Sequence, residues 1–175
     1  MDLGIKGKNA LITGGTRGLG LASLKSLSNE GVNVAFCSRS DEGLNETSQI
    51  LDKKNVKYIG IKHEIKNDID SLNKLVNNAE KNIGNIDILV NNVGGSLGSD
   101  SLLNDDIENY ERVFNLNFWA SLKLMKIVSK KMIDNKWGRI INISSIFGRE
   151  YGGKSSSYMS SKASLIAATK HMAIE

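Results

Sequence analysis

Tyr158 and Lys162 stand four residues apart in a run from about Ser156 whose residues, among them Met159, Ala163, Leu165, Ile166, Ala167 and Ala168, favour helix. On a helix the pair shares one face, about 6 Å apart along the axis. A phenol with an ordinary pKa of about 10 is a poor proton donor or acceptor at neutral pH. A neighbouring ammonium favours the phenolate and lowers that pKa, each unit being worth about 1.4 kcal/mol. Ser145 ends the apolar run Ile140, Ile141, Ile143, so a strand delivers its hydroxyl to a C-terminal edge where it could bond the same substrate oxygen. Three such groups make an acid/base site for a carbonyl or an alcohol. The spacing alone is weak, because Tyr58 and Lys62 repeat it. That copy lies in a run that reads as strand, which would hold the two about 13 Å apart.

The elements that must position these groups alternate along the chain. Strands are expected at Asn9–Thr13, Val32–Cys37, Val56–Ile61, Ile86–Val90 and Ile140–Ser144. The last of these reads as buried on both faces. Helices are expected at Gly18–Glu30, Asp41–Lys54 and Asn67–Ile83, the last from the 3.6-residue period of Ile69, Leu72, Leu75, Val76, Ala79 and Ile83. Asn104, Asp105 and Asp106 suit the start of a long helix to about Lys136. Phe118, Leu122, Met125, Val128 and Met132 form its inner stripe, which leaves Trp119, Leu124 and Ile127 as apolar residues on a second side. A final helix runs from Ser156 to the end. Strict alternation demands a parallel sheet covered on both faces, with ligands at the C-terminal strand ends.

Between the first strand and the first helix lies Thr13-Gly14-Gly15-Thr16-Arg17-Gly18-Leu19-Gly20. Glycines let a backbone approach a pyrophosphate, and the helix N-terminus offers free N–H groups to phosphate oxygens. A glycine motif alone is a weak signal, and this placement strengthens it.

Composition excludes several other classes. At 175 residues, 40% hydrophobic and 24% charged, the chain is ordinary globular protein with room for one core, read as a single domain over 1–175. The single cysteine, Cys37, excludes an intrachain disulfide and fits a reducing, cytoplasmic setting. His63 and His171 lie far apart, and no cluster has metal-ligand spacing. A net charge of +4 comes from dispersed lysines mixed with acids, which argues against a nucleic-acid surface. No apolar run reaches the length of a membrane span.

The Gly-x-x-x-Gly-x-Gly spacing, joined to Tyr158-x-x-x-Lys162, resembles the short-chain dehydrogenase/reductase family, especially its 3-oxoacyl-acyl-carrier-protein reductase-like members. Asn91-Asn92-Val93-Gly94 is similar to the family's Asn-Asn-Ala-Gly, and Ser145 precedes Tyr158 by the usual thirteen residues, which selects it over Ser144. The resemblance covers the whole chain. It implies an α/β, Rossmann-type, doubly wound parallel sheet of three layers in the order 3-2-1-4-5, with the family's last strands missing and the C-terminus incomplete. By resemblance Tyr158 is the general acid for reduction and the base for oxidation. Lys162 lowers its pKa and holds the nicotinamide ribose, Ser145 orients the carbonyl, and Asn117 holds a water in a proton relay. Asn115 competes for that last role, and the pattern Val-x-x-x-Asn from Val113 favours Asn117.

The same resemblance assigns Gly14, Arg17, Gly18, Leu19, Gly20, Asn91 and Gly94, with Tyr158 and Lys162, to the cofactor. At the end of the second strand, where an acid would take the ribose of NAD(H), Ser38 and Arg39 stand instead. With Arg17 they suit the 2′-phosphate of NADP(H). Glu64-Ile65 replaces the family's Asp-Val against the adenine, and Val93 replaces its alanine. The implied activity is hydride transfer between NADP(H) and a small carbonyl or alcohol, first a 3-oxoacyl thioester, then a sugar or polyol. A dinucleotide-binding domain without catalysis is the competing class. Homo-oligomers through the long helix and the Tyr158 helix are also implied.

Overall fold

The computed structural model describes residues 2–175. Among them five strands, β1 (Asn9–Thr13), β2 (Asn33–Ser38), β3 (Tyr58–Lys62), β4 (Ile88–Asn91) and β5 (Arg139–Asn142), form one parallel sheet in the order β3-β2-β1-β4-β5. This is the order the resemblance implies. The helices are α1 (Gly18–Asn29), α2 (Asp41–Leu51), α3 (Ile69–Ile83), α4 (Ile107–Phe114), α5 (Ala120–Asp134) and α6 (Ser156–Ile174).

Register explains the two cores. Ile59, Ala35, Leu11, Leu89 and Ile140 align across the sheet and face α3 and α5, where they meet Leu72, Leu75, Val76, Leu124, Met125 and Val128. The next row, Gly60, Phe36, Ile12, Val90 and Ile141, lies on the opposite face, where Phe36, Ile12 and Val90 meet Leu24 of α1 with Leu44 and Leu51 of α2. Successive strand side chains point to opposite faces, so a strand buried on both sides must be apolar throughout. Burying one Leu or Phe fully is worth roughly 1.5–3 kcal/mol. Side chains start two helices: Ser40 Oγ accepts from the Gly43 N–H at 3.2 Å, and Asp68 Oδ1 accepts from Asp70 N–H at 3.0 Å.

Four expectations change. β5 is the sheet edge, and Ile141 is 45% exposed, so the strand is not buried on both faces. Apolar composition reports a strand's capacity for burial, and only its neighbours decide the outcome. The long helix is interrupted: Asn115–Trp119 forms a π turn, in which Ala120 N–H donates to the Asn115 carbonyl. That turn rotates the inner stripe of α5. Leu124 is therefore buried in the core, Ile127 packs against it, and Phe118 and Leu122 are only half-buried. Finally, α4 starts after Asp106 without a side-chain cap, and the Asp105 carboxylate accepts from Asn109 within α4 and from Ser157 N–H instead.

Candidate active site

The loop between β1 and α1 folds tightly against the end of β4. Thr13 Oγ1 accepts from Asn92 N–H at 2.9 Å and Val93 N–H at 3.1 Å. Asn92 Nδ2 donates to the carbonyls of Thr13 and Gly14 at 2.9 and 3.2 Å. A Cβ on Gly20 would stand 2.2 Å from the Gly14 carbonyl oxygen, so only glycine lets the first turn of α1 press onto the loop. A Cβ on Gly18 would meet nothing within 4 Å, and no side chain caps α1. Arg17, Gly18 and Leu19 are exposed beside it. The loop is thus an open cradle with uncapped helix amides, which fits the pyrophosphate of a dinucleotide.

Asn91, which the resemblance assigns to the cofactor, and its neighbour Asn92 take different partners. Adjacent strand residues face opposite ways. Asn91 is buried under the sheet and donates to the Ser121 carbonyl at 3.3 Å and to Asn142 Oδ1 at 2.8 Å. It does not reach the glycine loop. Thr13 and Asn92, which stand in the sequence motifs but were assigned no role, make that junction.

A second junction gathers Asn117, Gly94, Lys162 and the end of β5. A Cβ on Gly94 would lie 2.5 Å from Asn117 Oδ1 and 3.1 Å from Lys162 Nζ, so the two polar groups converge over bare backbone. Asn117 is fully buried. Its Nδ2 donates to the carbonyls of Val113 at 2.9 Å and Gly95 at 2.8 Å, and its Oδ1 accepts from Gly95 N–H at 3.0 Å. The π turn aims this residue at the Gly94 loop. Asn115 faces away and accepts at 2.6 Å from Asn67 Nδ2.

Lys162 Nζ donates to the Ile143 carbonyl at 2.7 Å and lies 5.7 Å from the centre of the Tyr158 ring. Burial disfavours its charge and pulls its pKa from 10.5 down to about 8. Ser144 Oγ donates to the Lys162 carbonyl at 3.1 Å, which fastens β5 to α6. Ser145 Oγ accepts from Phe147 N–H at 3.2 Å, which leaves its own proton to donate. The Ile146–Gly148 turn presses so closely on α6 that a Cβ on Gly148 would be 2.9 Å from the Lys162 carbonyl carbon. Ser145 is thereby held beside the helix that carries Tyr158, which is half-buried.

At the end of β2, Ser38 Oγ accepts from Thr16 Oγ1 at 3.1 Å and Ser40 N–H at 3.2 Å. Arg39 lies 3.7 Å from Glu64, and Lys66 lies 2.7 Å from the same carboxylate. The hydrogen bond from Lys66, more than Arg39, holds the Glu64 carboxyl below its ordinary pKa. Arg39 is left loosely attached, with its side chain 71% exposed. Ile65 is 7% exposed and its side chain is spent on the core beside α3.

Comparison with known proteins agrees with this geometry. A ketoacyl reductase of Nostoc sp. is 33% identical over 168 residues, covering 96% of this chain and 58% of its own length. An NAD+-bound xylitol dehydrogenase superposes with a TM-score of 0.89 at 27% identity, covering 97% of this chain and 65% of that one. An actinorhodin polyketide ketoreductase with NADPH superposes at 0.87 with 30% identity, covering 94% and 63%. The chain thus spans less than two thirds of each of these proteins. The family profile described as short chain dehydrogenase matches residues 8–175, nearly the whole sequence, and so the chain belongs to the short-chain dehydrogenase/reductase family.

Proposed function

We propose that this chain carries the cofactor cradle and the proton-transfer residues of an NADP(H)-dependent oxidoreductase acting on a carbonyl or alcohol, with a 3-oxoacyl thioester as the first substrate class. The observation that carries the reading is the convergence of Asn117 and Lys162 on Gly94, one helical turn from Tyr158. Bound nicotinamide supplies or accepts the hydride. Tyr158 then gives its phenol proton to the nascent alkoxide in reduction and takes it back in oxidation. Ser145 donates its free O–H to the same oxygen and fixes the carbonyl's direction. Lys162 holds the ribose. Asn117, its side chain spent on Gly95 and Val113, acts through its backbone in the relay of water to Lys162. Arg17 and the loosely held Arg39 would take the 2′-phosphate, while Gly14, Gly18, Leu19, Gly20 and Gly94 line the cradle.

The similarity to a ketoacyl reductase supports the thioester, and that to a xylitol dehydrogenase supports a polyol as the second reading. A cytoplasmic homo-oligomer belongs with either. The test is NADPH oxidation over a panel of 3-oxoacyl thioesters, sugars and simple ketones. Tyr158→Phe should cut turnover by at least ~10²-fold with little change in cofactor affinity. Turnover near wild type in that variant would remove Tyr158 from the mechanism, and binding of NADPH without any turnover would leave a binding domain.

A further inference from the structure

Asp105 is 9% exposed, and its carboxylate caps no backbone N–H of the helix it precedes. Its Oδ2 accepts from Ser157 N–H at 3.2 Å and Ser99 Oγ at 3.1 Å, and its Oδ1 accepts from Asn109 Nδ2 at 2.6 Å. Ser156 Oγ shares one proton between this carboxylate, at 3.2 Å, and the Asp100 carbonyl, at 2.8 Å. Ser99, having given its proton to Asp105, accepts from Tyr158 N–H at 3.2 Å and from Ser157 Oγ at 2.6 Å.

These bonds account for the start of α6. Its N-cap residue, Ser155, makes no side-chain cap bond. The first-turn amides are satisfied from outside instead: Ser156 N–H by the Asp100 carbonyl at 2.8 Å, Ser157 N–H by Asp105 and Tyr158 N–H by Ser99. A carboxylate at a helix N-terminus also meets the positive end of the helix dipole. Segment 99–105 leaves the Gly94–Gly95 loop, which Asn117 holds at both its N–H and its carbonyl. One continuous set of bonds therefore runs from Asn117, through that loop, to the backbone of Tyr158.

We propose that Asp105 is a positioning residue: acting through Ser99, its carboxylate sets the register of α6, and with it Tyr158 and Lys162, against the Gly94 loop. The catalytic part of this inference rests on the functional reading above; the structural part does not. Burial opposes the Asp105 charge, and the hydrogen bonds from Ser157, Asn109 and Ser99 overcome it and hold the carboxyl well below the ordinary carboxylate range. The cap therefore stays ionised under all assay conditions near neutrality.

The test uses the full chain and the variants Asp105→Asn and Ser99→Ala. The first readout is the titration of the Lys162 amine by nitrogen-15 lysine NMR. If α6 loses its register, Lys162 gains water, and its midpoint should rise from about 8 toward 10.5 in both variants. The second is the split of steady-state constants: kcat should fall about 10–100-fold with a smaller loss of NADPH affinity through Lys162, while KM for the carbonyl holds within about twofold. The double variant should cost no more than the worse single one, since both break one link. A lowered melting temperature with the Lys162 titration and kcat unchanged would show a merely structural cap and overturn the proposal. Ser99→Ala keeps the carboxylate, so it decides the matter if Asp105→Asn fails to fold. If wild type turns over no carbonyl, the functional reading falls, and the Lys162 titration still decides the positioning role.

Discussion

Lys162 is buried to 3% exposure, and that burial brings its pKa from 10.5 to about 8. The unfolded chain keeps this proton to a higher pH than the folded one. Between about 8 and 10.5 the unfolded state therefore binds more protons, and stability rises with pH across that window. Lys162→Met should remove this rise. Urea midpoints measured at the two ends of the window should diverge more for wild type than for the variant, and equal differences would show that Lys162 is solvated. Arg39 poses a different residue-scale question. Its guanidinium is shared loosely with Glu64, because Lys66 already satisfies that carboxylate. Arg39→Asp removes a cation and adds a charge that repels a 2′-phosphate. The ratio of NADPH to NADH affinity should fall at least about tenfold, or ~1.4 kcal/mol. A wild type that binds NADH more tightly in direct titration would overturn the assignment.

At the scale of elements, two glycine contacts and one π turn build the candidate site. Gly20→Ala puts a methyl 2.2 Å from the Gly14 carbonyl oxygen, and the obstacle is backbone, which has no rotamer to yield. The loop must open. Cofactor affinity should drop by at least ~10-fold in a fluorescence titration while the far-ultraviolet spectrum is kept, because the loop lies outside both cores. Unchanged affinity would mean that the cradle does not hold the cofactor. The π turn shows why helix periodicity stopped short of the site. Apolar residues repeat on both sides of it, so the pattern from Val113 to Met132 reads as one helix. The extra residue shows only in the bonds, where the buried Asn117 amide takes up the Val113 carbonyl. Asp105 was hidden for a related reason: an acid before a helix reads as that helix's cap, and nothing local tells which helix it serves.

Among the described residues, a run of aromatic rings and a sheet edge each leave apolar surface uncovered. Along α4 and the π turn, Tyr110, Phe114, Phe118 and Trp119 form a chain of rings 4.9–6.5 Å apart, with Trp119 43% exposed. The second is β5, paired only with β4 among the described residues, with Ile141 45% exposed. The first suits a specific homo-oligomer, since aromatic clusters anchor interfaces. The second is an open edge, which favours association without a defined end point. Light scattering separates them. Trp119→Glu should lower the mass of a defined oligomer, whereas Ile141→Lys should suppress slow growth of large particles and leave that oligomer intact. A wild type that is monomeric and stable at micromolar concentration would count against both.

The sequence by itself determined the alternation of strands and helices, the two-faced sheet and the chemistry available to it. Those follow from local properties: the apolar runs Ala10–Ile12 and Ile88–Val90, the period of α3, and the glycines at Thr13–Gly20. Comparison of its ordered motifs also carried the strand order. Tertiary structure alone decided what each of these residues faces. It put Asn92 rather than Asn91 on the glycine loop, because the parity of a strand is set by its neighbours in the sheet. It left Ile141 at an edge, spent Ile65 on the core, and turned Leu124 inward past the π turn. It carried the Asp105 carboxylate across to Ser157 and, through Ser99, to the backbone of Tyr158. Contacts between residues about fifty positions apart form only when the sheet brings their loops to one edge, and no local pattern in the chain encodes that meeting.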